Sequence, residues 1–289
     1  MPIKTDVLVI GSGIAGATAA LRLARDSQRQ VMVITRNYEP EESNTRYAQG
    51  GIVYEGEEDS PVSLIEDVMR AGAGLSLPSA VRLLATEGPA RVKELLIDRL
   101  EVPFDRNEDG TRSLTREGGH TVPRIIHVED ATGRAIEEAL IGALRDLPNI
   151  TLLKGYTAVD LITSSHHSTD PMAVYAPITC HGAYVLNRAG NHVDRVLAKA
   201  TVLATGGVGR IYRHTTNPAG ARGDGLAMAY RAGARVINAE YIQFHPTTLA
   251  VPGMDNFLIS EAVRGEGARL YTPDGRHFMD TYAPERGDL

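Results

Sequence analysis

Three glycines near the start of the chain have the spacing of a dinucleotide-binding turn. Gly11, Gly13 and Gly16 follow the pattern G-x-G-x-x-G, and they come directly after the strand-like run Asp6–Ile10. In this pattern the first glycine permits a tight turn, the second lets a pyrophosphate approach, and the third lets a helix pack closely on the strand. The helix then presents free N–H groups and a positive dipole end. The sequence predicts a dinucleotide site, with a plain strand–helix turn as the alternative.

The tip of the next strand leaves the identity of the dinucleotide open. An NAD site usually has Asp or Glu there, bonded to the ribose hydroxyls. Here the strand Gln30–Thr35 leads into Arg36 instead. Arg36 could contact a phosphate or the adenine edge, and taken alone it also fits NADP.

Other segments combine glycines with polar residues that could contact a ligand. The glycine pair at the end of Asn44–Gly51 suits close backbone approach. Phe104–His127 has no clear period, and a long irregular stretch inside a compact domain is often a functional loop. From Tyr241 onward the character changes, with the polar segments Gln243–Thr248 and Arg264–Gly267.

The remaining periodicity predicts the elements that must position these residues, and their alternation indicates an α/β fold. Three predicted helices are Pro61–Arg70, Asp130–Leu147 and Leu226–Ala232, and Ser60 is the predicted N-cap of the first. Two further helices are predicted between Pro78 and Leu100, with a break at Gly88–Pro89. Their predicted core residues are Val92, Leu95, Leu96 and Leu100. Predicted strands are Ile150–Leu153, Thr157–Thr163, about Ala173–Thr179, the hairpin Ala183–Arg188 with Val193–Ala198, and Ala200–Leu203.

Composition excludes several classes of protein. The 289 residues are 43% hydrophobic and 23% charged, as in a soluble globular protein, and the net charge of −6 argues against a nucleic-acid partner. No apolar run approaches the ~20 residues of a membrane span, and Met1–Lys4 leads directly into the first strand, so no signal peptide is expected. The single Cys180 allows no internal disulfide, which favours a cytoplasmic location. His166–His167 is interpreted as a surface pair without a metal, because no third ligand is nearby.

Eight segments together resemble the flavoproteins of the succinate dehydrogenase/fumarate reductase family, and within it the branch that oxidises L-aspartate. They are Gly11–Gly16, Asn44–Gly51, Glu117–His120, Asp130–Arg134, Ala204–Gly207, Gly223–Gly225, His245–Thr247 and Arg264–Gly267. The resemblance covers Asp6 to Leu289. It implies a Rossmann-like FAD-binding domain over residues 1–240, with a parallel sheet and a small antiparallel meander, and the start of an α+β capping domain over residues 241–289.

The resemblance implies FAD as the cofactor. The residues matching its binding segments are Gly11, Ser12, Gly13, Ile14, Ala15 and Gly16 at the phosphates, Arg36 after the second strand, Asn44, Thr45, Arg46, Tyr47, Ala48, Gln49, Gly50 and Gly51 around the pyrophosphate and isoalloxazine, Thr157 and Ala158 on the adenine side, and Asp224. Asn44 stands where the membrane-complex enzymes have a histidine bonded covalently to the flavin. An amide cannot form that bond, so noncovalent FAD is expected.

A second departure concerns the substrate. Glu117 stands where the membrane-complex enzymes have an apolar residue, and a carboxylate can pair with the ammonium group of an amino acid. The alternative is that Glu117 pairs with Arg116 or Arg124.

The resemblance also implies a site for substrate carboxylates. His245 matches a carboxylate-binding residue, with Gln243 nearby, and Ser260 replaces the family's usual threonine. Arg264 and Glu266 either support this pocket or form a buried structural ion pair.

The implied reaction is oxidation of L-aspartate to iminoaspartate, with reoxidation by dioxygen or fumarate and a product used by quinolinate synthase on the path to NAD. Soluble fumarate reduction is an alternative. The family's proton-transferring arginine is expected beyond Leu289, so no catalytic residue is assigned here. The chain is expected to be the first half of the enzyme, and for the isolated chain a flavin-binding fragment without turnover is favoured.

Overall fold

The computed structural model describes residues 1–25, 28–254, 256–260, 263–264, 267–285 and 287–288, with the backbone alone at His166 and His167. The chain forms two compact units. The first comprises Met1–Tyr47 and Ile136–Phe244, and the second comprises Ala48–Ala135 and His245–Leu289.

The described strands and helices are interspersed in the first half of the chain. The strands are β1 (Ile3–Ile10), β2 (Val31–Thr35), β3 (Ile52–Val53), β4 (Ile125–Ile126), β5 (Ile150–Lys154), β6 (Tyr156–Thr163), β7 (Cys180–Asn187), β8 (His192–Leu203), β9 (Thr248–Leu249) and β10 (Phe257–Leu258). The helices are α1 (Ile14–Arg25), α2 (Pro61–Ala71), α3 (Pro78–Val92), α4 (Thr132–Asp146), α5 (Ser164–His167), α6 (Asp224–Arg231) and α7 (Met279–Tyr282).

A six-stranded sheet in the order β5-β2-β1-β8-β7-β6 organises the first unit. Pairings among β5, β2, β1 and β8 are parallel, whereas β8, β7 and β6 form an antiparallel meander. The predicted α/β class, parallel sheet and meander are confirmed. Strand β8 belongs to both parts, because Val196–Leu203 continues from the hairpin to pair with β1. The predicted separate strand Ala200–Leu203 is therefore the end of β8.

The core of the first unit lies between the parallel strands and the meander. Alternate residues of β1 and β2 are buried there with residues of the meander and α6: Leu8, Ile10, Met32, Ile34, Leu161, Ala183, Val185, Val196 and Met228. The period of two in a strand places the intervening residues Val7, Val9, Val31 and Val33 on the opposite face, where α1 packs on β1 and β2. This double burial explains why Val7–Ile10 of β1 and Val31–Ile34 of β2 are wholly apolar.

Two predicted elements are wrong. About Ala173–Thr179 there is no strand: Pro171–Tyr175 forms a 3₁₀ turn, because Pro171 starts it and the Asp170 carboxylate accepts a hydrogen bond from the N–H of Met172 at 2.9 Å. The predicted break at Gly88–Pro89 is also absent.

Helix α3 passes through Pro89, although that residue lacks an N–H donor. Its burial of Val81 and Ala85 and its packing on α2 stabilise the helix across the proline. Lys93–Arg99 then continues as a π-helix. Of the four residues predicted in this core, Leu96 is buried and the others are half-buried.

No helix in the described ranges combines the length and apolar character needed to cross a bilayer.

The start of α2 gives a direct test of local stability. Ser60 is the predicted N-cap, and its Oγ accepts the N–H of Ser63 at 3.1 Å. Ser60→Ala removes this acceptor and should lower the free energy of unfolding by about 1 kcal/mol. Urea denaturation of Ser60→Ala beside Ser79→Ala, an exposed serine of α3, measures this; equal stability of the two variants would contradict the cap.

Candidate functional site

The turn between β1 and α1 has the geometry predicted from its glycines. Gly11 has φ +113°, and a Cβ on it would collide with the carbonyl of Ala204 at the end of β8. A Cβ on Gly16 would collide with the carbonyl of Gly11. At Gly13 the space for a Cβ faces Thr45 Oγ1 at 3.2 Å and Ser43. The first and third glycines thus allow close packing, and the second keeps the N-terminus of α1 accessible.

One cavity of about 560 Å³ opens at this turn, entirely within the first unit. The predicted cofactor residues that line it are Gly11, Ser12, Gly13, Ile14, Ala15, Arg36, Asn44, Thr45, Thr157, Ala158 and Asp224. Gly16 packs inside the turn, and Arg46 and Tyr47 are not among the lining residues. Ala48, Gln49, Gly50 and Gly51 belong to the second unit.

Positive charge is concentrated at the Arg36 end of the cavity. Asp224, in the first turn of α6, forms ion pairs with the guanidinium groups of Arg36 and Arg222 at 3.2 Å each. Arg188 donates a hydrogen bond to the carbonyl of Arg36 at 3.1 Å. Burial and the neighbouring Arg222 lower the pKa of Arg36, while Asp224 opposes this. One carboxylate among three guanidinium groups leaves an excess of positive charge, which favours an anion.

Several residues that line this cavity were not predicted from the sequence. Ser43, Thr205, Pro218 and Gly220 also line it. Asn44 donates to Asn217 Oδ1 at 3.4 Å, which joins this loop to the predicted segment. The signal available was the run of Asn, Pro and Gly directly before Gly223–Gly225, which is typical of a loop near a ligand.

In the second unit, Glu117 lies against the glycine pair. The N–H of Gly51 donates to Glu117 Oε1 at 3.3 Å, and a Cβ on Gly50 would lie 2.8 Å from the same oxygen. A Cβ on Gly51 would collide with β4. The close approach predicted for this glycine pair is therefore made by the protein's own Glu117 and β4.

The alternative in which Glu117 pairs with Arg124 is wrong. Arg124 is fully buried; it donates to both oxygens of Asp59 at 2.8 Å and to Asp67 at 2.7 Å. Burial opposes the ionisation of Asp67, yet hydrogen bonds from Thr121 and Arg124 lower its pKa. Across the part of the chain that the structure describes, no basic side chain lies within ion-pair distance of Glu117, Arg116 included.

Arg124 also fixes the loop that carries Glu117. It contacts His120 Nδ1 at 3.1 Å, three residues after Glu117. Since a guanidinium only donates, Nδ1 of His120 is the acceptor in this contact. The buried ion pairs thus hold the Glu117–His120 turn to α2.

A short hairpin brings two other predicted site residues to one end. Strands β9 and β10 pair antiparallel, and the N–H of Ile259 donates to the carbonyl of Thr247 at 3.3 Å. His245 precedes β9 and Ser260 follows β10, so both lie at this end, and both are half-buried. Gln243 is exposed and belongs to the first unit.

Gln49 links this hairpin to the glycine pair beside Glu117. Its Nε2 donates to the carbonyl of Leu258 at 3.1 Å. Gln49 Oε1 and Thr247 Oγ1 are buried without hydrogen-bond partners among the described residues. Buried polar atoms normally have partners, so this amide oxygen and this hydroxyl group are available for polar contacts with a ligand.

Arg264 contacts the end of the chain. Its guanidinium donates to the carbonyl of Asp288 at 2.8 Å. Glu266, its predicted partner, lies outside the described residues.

The described residues contain no group of three side chains able to hold a metal ion.

Comparison with known proteins identifies the class. The family model described as FAD binding domain matches residues 6–288, and the chain belongs to this family. The match confirms FAD, the cofactor implied by the resemblance.

The relatives narrow this further. The chain is 46% identical over 285 residues to L-aspartate oxidase 1 of Ralstonia nicotianae, covering 98% of this chain and 52% of that protein. It is 46% identical over 294 residues to the chloroplastic L-aspartate oxidase of Arabidopsis thaliana, covering 98% and 43%. The expected resemblance is confirmed, and the chain spans about half the length of the curated relatives it matches.

A solved quinol-fumarate reductase with menaquinol molecules has the same fold. Its TM-score is 0.86 at 26% identity, covering 98% of this chain and 46% of that one.

The residues around the cavity fit a dinucleotide. A volume of about 560 Å³ falls within the range of small-molecule sites. Gly13 leaves room that a Cβ would narrow, and the Arg36 cluster offers positive charge. Apolar walls from Ile10, Ile34 and Leu203 suit flat rings.

One buried glutamate near the cavity makes stability depend on pH. Glu137 of α4 has no exposed surface, and burial raises its pKa from 4.5 to about 8. Between these values the unfolded state has lost the proton that the folded state retains. The free energy of unfolding therefore falls as pH rises from about 4.5 to 8, by about 3–5 kcal/mol at full extent.

Glu137→Gln keeps the shape of the side chain and removes its titratable carboxyl. The free energy of unfolding of this variant, relative to that of the wild type, should therefore increase from pH 4.5 to pH 8 and level off above pH 8. Urea denaturation at pH 5 and pH 8 measures the difference, and Glu138→Gln, an exposed neighbour on α4, is the control. A Glu137→Gln difference that is the same at both pH values would show that Glu137 is ionised in the folded state.

Proposed function

We propose that the full-length protein oxidises L-aspartate to iminoaspartate with noncovalent FAD. The observation that carries the proposal is the Glu117 carboxylate. It lies on the Gly50–Gly51 backbone and is free of basic partners across the described residues. A carboxylate with one amide N–H has further lone pairs to offer an ammonium group.

Substrate carboxylates are assigned to the end of the β9–β10 hairpin. His245, Ser260 and Gln243 are the proposed binding residues, with Arg264 in support. His245 Nδ1 lies 3.0 Å from the carbonyl of Thr247, and this contact orients the ring. Gln49 connects the hairpin to the Glu117 turn, so an amino-dicarboxylate would meet an anion for its ammonium and donors for its carboxylates.

The cofactor is assigned to the cavity of the first unit. The N-terminus of α1 with Gly13, Ser12 and Thr45 would hold the diphosphate, Arg36 would add positive charge, and Thr157 and Ala158 would contact the adenine side. The predicted contacts of Arg46 to Gly51 remain part of the proposal. Asn44 has an amide where a covalent link would need an imidazole. Bound there, FAD would supply the acceptor for the substrate's hydride, with dioxygen or fumarate as the final electron acceptor.

The wider setting follows from this activity. The product iminoaspartate would feed quinolinate synthase in NAD biosynthesis, in the cytoplasm. The domain assignment is 1–240 for FAD binding and 241–289 for the start of the capping domain. The proton-transferring arginine is assigned to the part of the protein beyond Leu289.

Two other functions have specific support. Fumarate reduction is favoured by the fold shared with quinol-fumarate reductase, and it would use the same carboxylate-binding residues. Flavin binding without turnover applies to the 289-residue chain in isolation, because it spans about half of its relatives.

Glu117→Gln in the full-length protein separates oxidation of aspartate from reduction of fumarate. Loss of a charge-assisted bond should lower kcat/KM for aspartate about 10- to 100-fold. Fumarate has no ammonium group, so its reduction should change less than about threefold by the same reasoning. Steady-state assays of both reactions measure this, with Glu108→Gln as a control because Glu108 is exposed in the same irregular stretch. Equal losses for the two substrates would contradict the ammonium-binding role.

A further inference from the structure

A fully buried glutamate of the first unit takes no part in the proposed reaction. Within the described residues, neither carboxyl oxygen of Glu137 has a hydrogen-bond partner. The hydroxyl groups of Ser43 and Thr45 lie beside it and partly offset the rise in its pKa. Both of these residues also line the cavity, and all three belong to the first unit.

Both hydroxyl oxygens already accept a backbone hydrogen bond. Ser43 Oγ accepts from the N–H of Thr45 at 3.1 Å, and Thr45 Oγ1 accepts from the N–H of Ile14 at 3.0 Å. A hydroxyl has one proton to donate and a second lone pair. Each proton is therefore available either to Glu137 or to a ligand in the cavity.

The protonation state of Glu137 decides where these protons go. A protonated carboxyl that closed to hydrogen-bond distance would donate to one hydroxyl oxygen and leave that hydroxyl's own proton free. An ionised carboxylate would instead accept from both hydroxyls and add a negative charge beside them. Phosphate oxygens need donors and are repelled by an anion, so the protonated form favours a diphosphate.

We propose that Glu137 is a positioning residue of the dinucleotide site. In its protonated form it leaves a hydroxyl proton of Ser43 or Thr45 for the diphosphate, and FAD binding is thereby coupled to one proton.

The charges around Glu137 support the protonated form. Among the described residues, the charge that acts on Glu137 is that of Glu41, on the loop before Ser43, and it raises the pKa of Glu137. Glu41 is itself paired with Arg145 of α4 at 2.9 Å. On the same loop, Glu42 accepts a hydrogen bond from the Tyr47 hydroxyl at 2.8 Å. α1 has no charged side chain in its first turn, Ile14 to Ala17.

The experiment measures FAD affinity against pH and needs no turnover. Apoprotein of the full-length wild type, Glu137→Gln and Glu138→Gln is titrated with FAD at pH 7.0 and pH 9.5, and Kd is read from flavin fluorescence. The wild-type Kd should rise about tenfold or more relative to that of Glu137→Gln between the two pH values. Flavin and all other groups titrate alike in these proteins, so the ratio isolates Glu137. The Glu138→Gln protein should follow the wild type.

The proposal rests on FAD occupying this cavity and not on the identity of the substrate. A constant Kd ratio between wild type and Glu137→Gln would overturn the role of Glu137 while leaving the FAD assignment intact. Absence of FAD binding in all three proteins at pH 7.0 would overturn both.

A second measurement uses the wild type alone, in case Glu137→Gln does not fold. Calorimetry in buffers of different ionisation enthalpy counts the protons taken up when FAD binds. At pH 8.5 uptake should lie between about half a proton and one proton per FAD, and at pH 6.5 it should be near zero. No uptake at pH 8.5 would overturn the proposal.

Discussion

Backbone packing at the turn between β1 and α1 is the constraint on which the rest of the structure depends. The carbonyl of Ala204 occupies the space that a side chain at Gly11 would need, and the carbonyl of Gly11 does the same to Gly16. These contacts close β8 and α1 on the turn, so that the helix N-terminus faces one cavity with the ends of β1, β2 and β8. Binding at the carboxyl ends of parallel strands follows from this arrangement.

Two buried charged residues show how the environment sets their chemistry. Arg124 is fully buried, yet Asp59 and Asp67 compensate its charge, so the group is structural and holds the Glu117 loop. Glu137 is equally buried, and within the described residues no cation compensates its charge, so the neutral form is favoured. The first is a fixed ion pair, and the second is a titratable group beside a ligand cavity.

Much of the first unit could be predicted from the sequence, because its signals are local. The glycine spacing, the apolar strands β1 and β2 and the period of α4 each specify their structure over a few residues. The two wrong predictions concern segments where a local sequence preference is overridden by another interaction. Pro89 normally ends a helix, but packing on α2 carries α3 through it, and the Asp170 cap with Pro171 turns a strand-like segment into a 3₁₀ turn.

The site was harder to predict, since its contacts join distant parts of the chain. The acidic partners of Arg124 lie 57 and 65 residues away, and Asn217 lies 173 residues from its partner Asn44. Glu117 was recognised by its position in a motif, but its contact with Gly51 required the fold. Glu137 gave no signal, because an acidic residue in an amphipathic helix is ordinarily exposed.

The central claim is that the cavity holds FAD without a covalent bond. The absorption spectrum of the purified full-length protein, before and after acid precipitation, tests it most directly. The account predicts a flavin spectrum that passes entirely into the supernatant. Flavin that remains with the precipitate, or a colourless protein that takes up no added FAD, would contradict it.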